Sequence, residues 1–338
     1  MSTLLQVGVI GAGRIGQVHA STIAYRVNTA QLAAVTDPIP AAAQAVAEKF
    51  RVPKIATDYR AIVADPSIDA VLICTPTDTH AEIVAAAAQA GKHIFCEKPV
   101  ALDLAATDVA IRAAERAGVK LQIGFNRRFD ANFARARQAV LGGEIGEPQI
   151  IHVISRDPGP PPVSYIKSSG GIFLDMTIHD WDIARFLIGS EIDEVYVQGG
   201  VMVDPAIGEA GDIDTHVTLL RFANGVIGTV DNSRKAVYGY DQRVEVFGSA
   251  GAIQTENNYP NNSVLSTAES VRRDLPLNFF MQRYVDAFAA EVEAFVDAVV
   301  NGRPVPVGGH DGRMALVAGL AAKRSYTERR PVRLSEVG

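Results

Sequence analysis

Leu5-Gln6-Val7-Gly8-Val9-Ile10-Gly11-Ala12-Gly13-Arg14-Ile15-Gly16 is a short apolar run that breaks at once into three closely spaced glycines. The run reads as a buried strand and the glycines as a turn, after which Arg14 to about Val27 has helical spacing. A second apolar run, Leu32 to Val35, ends at Asp37, twenty-one residues beyond Gly16. In such a unit the first glycine permits the tight turn and the second lets backbone approach a pyrophosphate. The third lets the helix pack closely. The pyrophosphate meets free N–H groups at the helix N-terminus, where the dipole favours negative charge. Glycine-rich turns alone are common, but strand, turn, helix and acid in this order point to a bound dinucleotide.

Gly11, Gly13, Arg14, Ile15, Gly16 and Asp37 are therefore cofactor-binding candidates. Asp37 also selects the cofactor. A carboxylate at a strand tip accepts hydrogen bonds from an adenosine ribose and repels a 2′-phosphate. Pro38-Ile39-Pro40 supplies no cation to neutralise one, so NAD(H) is expected rather than NADP(H).

The 338 residues, 48% of them hydrophobic, suffice for two domains. A net charge of −6, without basic clusters, argues against nucleic acid or an anionic membrane as partner. No apolar run reaches membrane-spanning length and no export leader is visible, so a cytoplasmic location is expected. Cys74 and Cys96, the only cysteines, end two apolar runs and read as reduced core thiols, not as a disulfide or zinc pair.

Strand and helix alternate to about residue 125. Residues 70–74 and 93–96 are nearly continuous apolar runs, as in parallel strands covered on both faces. Helices are predicted over 40–50, 58–64, 79–90 and 103–117, and 120–123 adds a sixth strand. Residues 1–125 thus form an α/β Rossmann domain with its crevice at the carboxyl ends of the strands. Beyond it, 149–155, 194–203, 216–222, 226–233 and 243–247 alternate apolar with polar, and Asn224-Gly225 marks a turn. Strands in succession imply an α+β domain over 126–338 with a large, mostly antiparallel open sheet. Its helices are predicted near 130–141, 174–187, 282–300 and 311–328. Internal repeats are lacking, and Pro158–Pro162 reads as a stiff loop.

Two further segments carry chemistry. Glu97-Lys98-Pro99 lies where the fifth strand meets the crevice, and a Lys there is placed to stabilise negative charge on a substrate oxygen. An ordinary surface lysine is the alternative. The second segment runs from Ser169 to Asp182. On a continuous helix Asp175, His179 and Asp182 share one face, heading an apolar stripe. The alternative is a capped helix start with a satisfied core histidine. A metal centre is disfavoured, because no third ligand stands at recognisable spacing.

Together these segments resemble the Gfo/Idh/MocA oxidoreductases, and within them the inositol 2-dehydrogenase branch. The resemblance spans nearly the whole chain. It rests on the glycine turn, Thr75-Pro76-Thr77…His80, Glu97-Lys98-Pro99, Gly124-Phe125-Asn126-Arg127-Arg128-Phe129 and Asp175…His179. It implies that Lys98, Asp175 and His179 are catalytic and that the Lys98–Pro99 bond is cis. It also places Thr75, Pro76, Thr77, His80, Glu97 and Lys98 on the cofactor side, and it implies dimers or tetramers formed through the open sheet. Related inositol dehydrogenases often have Met where Asn126 stands, a departure that bears on which polyol or sugar is bound rather than on the reaction.

The chemistry then follows from charge. Hydride leaves a carbinol carbon only as the hydroxyl proton leaves too, so a base is needed, and His179 suits it with Asp175 as orienting partner. Lys98 stabilises the alkoxide. Asn126, Arg127, Asp157, Tyr165, Asp175 and His179, with Lys98, offer the polar contacts that suit a compact polyhydroxylated ring. The expected reaction is NAD-dependent oxidation of myo- or scyllo-inositol to a ketone. An aldose 1-dehydrogenase acting on a D- or L-glucose-type sugar is the runner-up. An NAD-using glycosidase and a non-catalytic NAD(H) sensor are the readings from other classes. Apolar residues at both parities, Val195, Val197, Val201 and Val203 against Tyr196 and Met202, leave a sheet face to be covered by a second copy.

Overall fold

The computed structural model describes residues 4–338 and divides into two units, Met1–Phe129 with Asp286–Leu316, and Asp130–Val285 with Val317–Gly338. The first unit alternates β1 (Leu5–Ile10), α1 (Arg14–Tyr25), β2 (Ala30–Thr36), α2 (Pro40–Phe50), β3 (Lys54–Ala56), α3 (Tyr59–Val63) and β4 (Ala70–Ile73). It continues with α4 (Thr77–Gln89), β5 (His93–Glu97), α5 (Leu104–Ala117) and β6 (Leu121–Gly124). All six strands are parallel, in the order β3-β2-β1-β4-β5-β6. The order reverses between β1 and β4, the switch point at which a doubly wound sheet opens its crevice. Val7, Val9, Val35, Leu72, Ile94 and Phe95 are inaccessible, which is why these strands are apolar without alternation. Asp58 and Asp103 cap α3 and α5 through their side chains, and Gly118 ends α5 in the left-handed conformation.

The second unit opens with α6 (Ala131–Leu141), β7 (Pro148–Arg156), α7 (Val163–Ser169), α8 (Ile172–Asp175), α9 (Ile178–Ile188) and β8 (Ile192–Gly200). There follow α10 (Pro205–Glu209), β9 (Thr215–Phe222), β10 (Ile227–Ser233), β11 (Asp241–Gly248), β12 (Gly251–Gln254), β13 (Val264–Ser266), β14 (Val271–Arg273) and α11 (Phe280–Arg283). The chain closes with α12 (Val285–Val300), α13 (Gly309–Glu328) and β15 (Val332–Arg333). The large sheet runs β12-β11-β7-β10-β9-β8-β15, antiparallel throughout except between β7 and β10. Strand β9 shows its pattern: His216, Thr218, Leu220 and Phe222 are buried, while Val217, Leu219 and Arg221 face outward.

Three expectations change. A single division at 125/126 does not describe the units, because 126–129 and 286–316 belong with the first. On α12, Val292, Phe295 and Val296 bury themselves against Val9, Leu72 and Phe95, each contributing about 1.5–3 kcal/mol. The strand expected over 194–203 stops at Gly200, where the Asp214 carboxylate gathers the N–H groups of Met202, Val203 and Asp204 into a loop. The helix expected over 174–187 is broken at Met176-Thr177. There the Thr177 hydroxyl lies 3.1 Å from the Ile172 carbonyl and 2.6 Å from Asn232 Oδ1, competing with helical backbone bonding.

Candidate active site

In the first unit the glycine turn has the stereochemistry its sequence demands. Gly11 has φ of +99°, and a Cβ on it would lie 2.7 Å from the Cys74 carbonyl oxygen. A Cβ on Gly16 would lie 1.9 Å from the Gly11 carbonyl oxygen, so α1 seats directly on the turn. A Cβ on Gly13 would meet nothing within 4 Å; the space above it is open. No side chain caps α1, leaving its first amides directed at that space. Arg14 is exposed beside it, and Ile15 leans on the core. Asp37 closes the cradle, accepting N–H bonds from Ala12 (2.8 Å) and Ile39 (2.9 Å). This donor set fits a dinucleotide pyrophosphate and ribose.

Thr75 and Pro76 lie in the turn between β4 and α4, which Thr77 begins, with Thr79 Oγ1 2.7 Å from Thr75 Oγ1. His80 is buried, and its ring nitrogens lie 2.8 Å from the Pro99 and Thr75 carbonyl oxygens. The ring thus ties the β4 turn to the turn after β5. Lys98 stands half-buried at the end of β5, joined to Pro99 by a cis peptide. Glu97 turns inward, its Oε1 2.6 Å from His19 Nε2. Asn126 and Arg127 are buried in the turn after β6, and Arg128 pairs with Asp311 at 2.8 Å.

In the second unit, residues 172–185 are buried with two exceptions, Asp175 and His179. The Tyr165 hydroxyl, on α7, donates to Asp175 Oδ1 at 3.0 Å. Arg234, 1% exposed, brings Nη1 to 3.9 Å from Asp175 Oδ2 and Nη2 to 3.5 Å from Asp212 Oδ2. Asp212 in turn accepts the Ile172 N–H that starts α8. Asp157 follows β7 and is bound through its backbone to Ser233 and Ala236. Asp182, expected beside Asp175 and His179, is instead buried and 3.9 Å from Arg185, which pairs with Glu191 at 2.6 Å. It is a structural ion pair.

Beneath α9 a buried network holds the segment to the sheet. Thr177 Oγ1 lies 2.9 Å from His216 Nε2, and Asn232 Nδ2 donates to Asp180 Oδ2 at 3.0 Å. Burial pushes the His216 imidazole down to about 3, so it stays neutral. Arg234 and His216 gave no local signal in sequence. Each sits on or just beyond a sheet strand, and only the pairing of β9 with β10 carries them under residues 172–185.

Residues 5–125 match an oxidoreductase family with an NAD-binding Rossmann fold, and residues 133–254 match the GFO/IDH/MocA C-terminal domain. The chain is 48% identical over 333 residues to myo-inositol 2-dehydrogenase of Thermotoga maritima, covering 98% of this chain and 99% of that one. This protein belongs to the Gfo/Idh/MocA oxidoreductases. Within the family it is also 46% identical to inositol 2-dehydrogenase of Rhizobium meliloti, over 97% of this chain and 98% of the relative. The crystal structure of scyllo-inositol dehydrogenase from Lactobacillus casei, with bound NAD(H) and scyllo-inositol, matches with a TM-score of 0.92 at 32% identity. That match covers 98% of this chain and all of the other.

Proposed function

We propose that this Gfo/Idh/MocA oxidoreductase oxidises a ring hydroxyl of a cyclic polyol, myo- or scyllo-inositol, to the ketone with NAD⁺. The observation that carries the reading is the pair Asp175 and His179, an acid and a base that stay partly accessible in an otherwise buried stretch. The substrate class follows the relatives. NAD⁺, when bound, supplies the hydride acceptor.

His179 takes the hydroxyl proton as general base. Asp175, held by the Tyr165 hydroxyl and facing the Arg234 guanidinium, orients the imidazole or the same hydroxyl. Lys98 stabilises the developing alkoxide. Asn126, Arg127, Asp157 and Tyr165 hold the remaining hydroxyls, and each hydroxyl missing from a wrong substrate leaves one of them unpaired. On the cofactor side, Gly11, Gly13, Arg14, Ile15, Gly16 and Asp37 hold pyrophosphate and ribose. Thr75, Pro76 and Thr77 line the approach, with His80 fixing the turns around it; Glu97, expected beside them, turns its side chain inward to His19.

The same reading includes a dimer or tetramer joined through the outer face of the large sheet, and a reducing, cytoplasmic setting in which Cys74 and Cys96 stay free. No helix among the described residues is long and apolar enough to cross a membrane. Mass spectrometry of a reaction of inositol with NAD⁺ tests the function: one inosose should form per NADH. Glycoside hydrolysis without net NADH would contradict it.

A further inference from the structure

Behind Asp175 the second unit seals in a cation that no step above employs. Arg234 follows the last residue of β10, its N–H bonded to the Asp214 carbonyl at 2.8 Å, and its side chain is inaccessible. A guanidinium keeps its proton in a protein, so a buried one has to be balanced by negative charge. Two carboxylates supply it. Asp212 Oδ2 lies 3.5 Å from Nη2, and Asp175 Oδ2 lies 3.9 Å from Nη1. The longer contact acts through charge and not as a hydrogen bond.

The same two side chains, Asp212 and Arg234, meet both ends of α8. This helix is a single turn, too short to keep itself formed. At its start Asp212 Oδ2 accepts the Ile172 N–H at 2.9 Å. A Cβ on Gly171 would stand 2.7 Å from Asp212 Oδ1, so the glycine is what lets that carboxylate approach. At the other end of the turn is Asp175, facing Arg234. Asp212, Arg234 and the turn thus close a ring. Within it the Asp175 carboxylate is met from two sides. The Tyr165 hydroxyl, on α7, donates to Oδ1 at 3.0 Å, and the guanidinium stands before Oδ2. Neither support belongs to α8. Arg234 is too deeply buried to touch a substrate, so its effect on a reaction passes through Asp175.

We propose that Arg234, braced by Asp212, is a positioning residue for Asp175: it balances the charge of that carboxylate and fixes its orientation. Without the cation, two carboxylates would share one enclosed space, and their repulsion would draw Asp175 away from its place. Turnover should then fall, while NAD⁺ affinity, set in the first unit, should not. The inference rests on the role proposed above for Asp175.

The test is a double-mutant cycle in the full chain, built from Arg234→Met, Arg234→Lys and Asp175→Asn. Arg234→Met should lower kcat about 10–100-fold, within the coupling range for residues of one ion-pair network. NADH affinity, from fluorescence titration, should match the parent. In the Asp175→Asn background no charge is left to place, so the same change should alter kcat by no more than about twofold. Arg234→Lys keeps the charge without the fork, and its kcat should fall between those of the parent and Arg234→Met. Equal fold losses in both backgrounds would make Arg234 purely structural and overturn the proposal. Parent-like kcat in folded Arg234→Met overturns it as well. If Arg234→Met does not fold, Arg234→Lys carries the same comparison: loss with Asp175 and none with Asp175→Asn supports the role, and any other pattern overturns it. A parent inactive on every polyol would sink the function proposed above, while urea unfolding would still test the pair. Arg234→Met should then lower the midpoint less with Asp175→Asn than without it, and equal shifts overturn the pairing.

Discussion

Asp175 and His179 stand out through contrast with their neighbours. A carboxylate and an imidazole stay partly accessible while residues 172–185 around them are buried, and the carboxylate is held by a phenol and faced by a guanidinium. Replacing His179 with Ala should lower kcat about 10²–10⁴-fold, the usual worth of a general base, with NAD⁺ affinity nearly unchanged. Lys98→Ala should cost a comparable factor. Steady-state kinetics with separate NAD⁺ titration checks both, and loss of NAD⁺ binding in His179→Ala would make that residue structural. Asp37→Ala should raise the NADP⁺ to NAD⁺ ratio of kcat/KM by about tenfold or more, because like-charge repulsion of a 2′-phosphate disappears. These residues were legible because each stands in a short motif whose spacing carries its chemistry. Arg234 was not. Its partner, Asp175, is remote in sequence, and only tertiary packing brings the two together.

Among the elements, the Rossmann strands could be read from the chain because burial on both faces makes them continuously apolar, and Asp or Gly marks the helix ends. What escaped is the break at Met176-Thr177, which separates Asp175 on α8 from His179 on α9. Helical spacing alone cannot show that a threonine hydroxyl will find Asn232 and His216 rather than water. The return of α12 to the first sheet escaped likewise, since an amphipathic helix does not say which sheet it covers. The His216 network has a consequence in pH. The folded imidazole lies at about 3, against about 6.5 in the unfolded chain. The unfolded state therefore binds the extra proton throughout that window. Its contribution is present above pH about 6.5 and is lost progressively as pH falls toward 3, so Tm should drop on acidification. His216→Gln should flatten that part of the Tm-versus-pH curve. An unchanged slope in the variant would remove His216 as its source.

For the whole molecule, the proposed assembly rests on the outer face of the large sheet. Phe247 and Ile227 flank Ile150 in register, and Val217 and Leu219 lie exposed on β9, an apolar row that a second copy can cover. Sedimentation should give a dimer or tetramer of the 36.0 kDa chain, and Phe247→Glu with Leu219→Glu should shift it toward monomer. A monomeric parent at micromolar concentration would contradict the arrangement. Two domains and an open sheet were foreseeable from the change in periodicity near residue 125, whereas the pairing order of that sheet was not, since β10 returns to lie parallel to β7. What the whole arrangement does is settled by substrate. NADH formation should be measured with myo-inositol, scyllo-inositol, D-glucose, L-glucose, galactose and xylose at equal concentration, with NAD⁺ and then NADP⁺. An inositol with NAD⁺ should give the highest kcat/KM, and turnover confined to the aldoses would contradict the account.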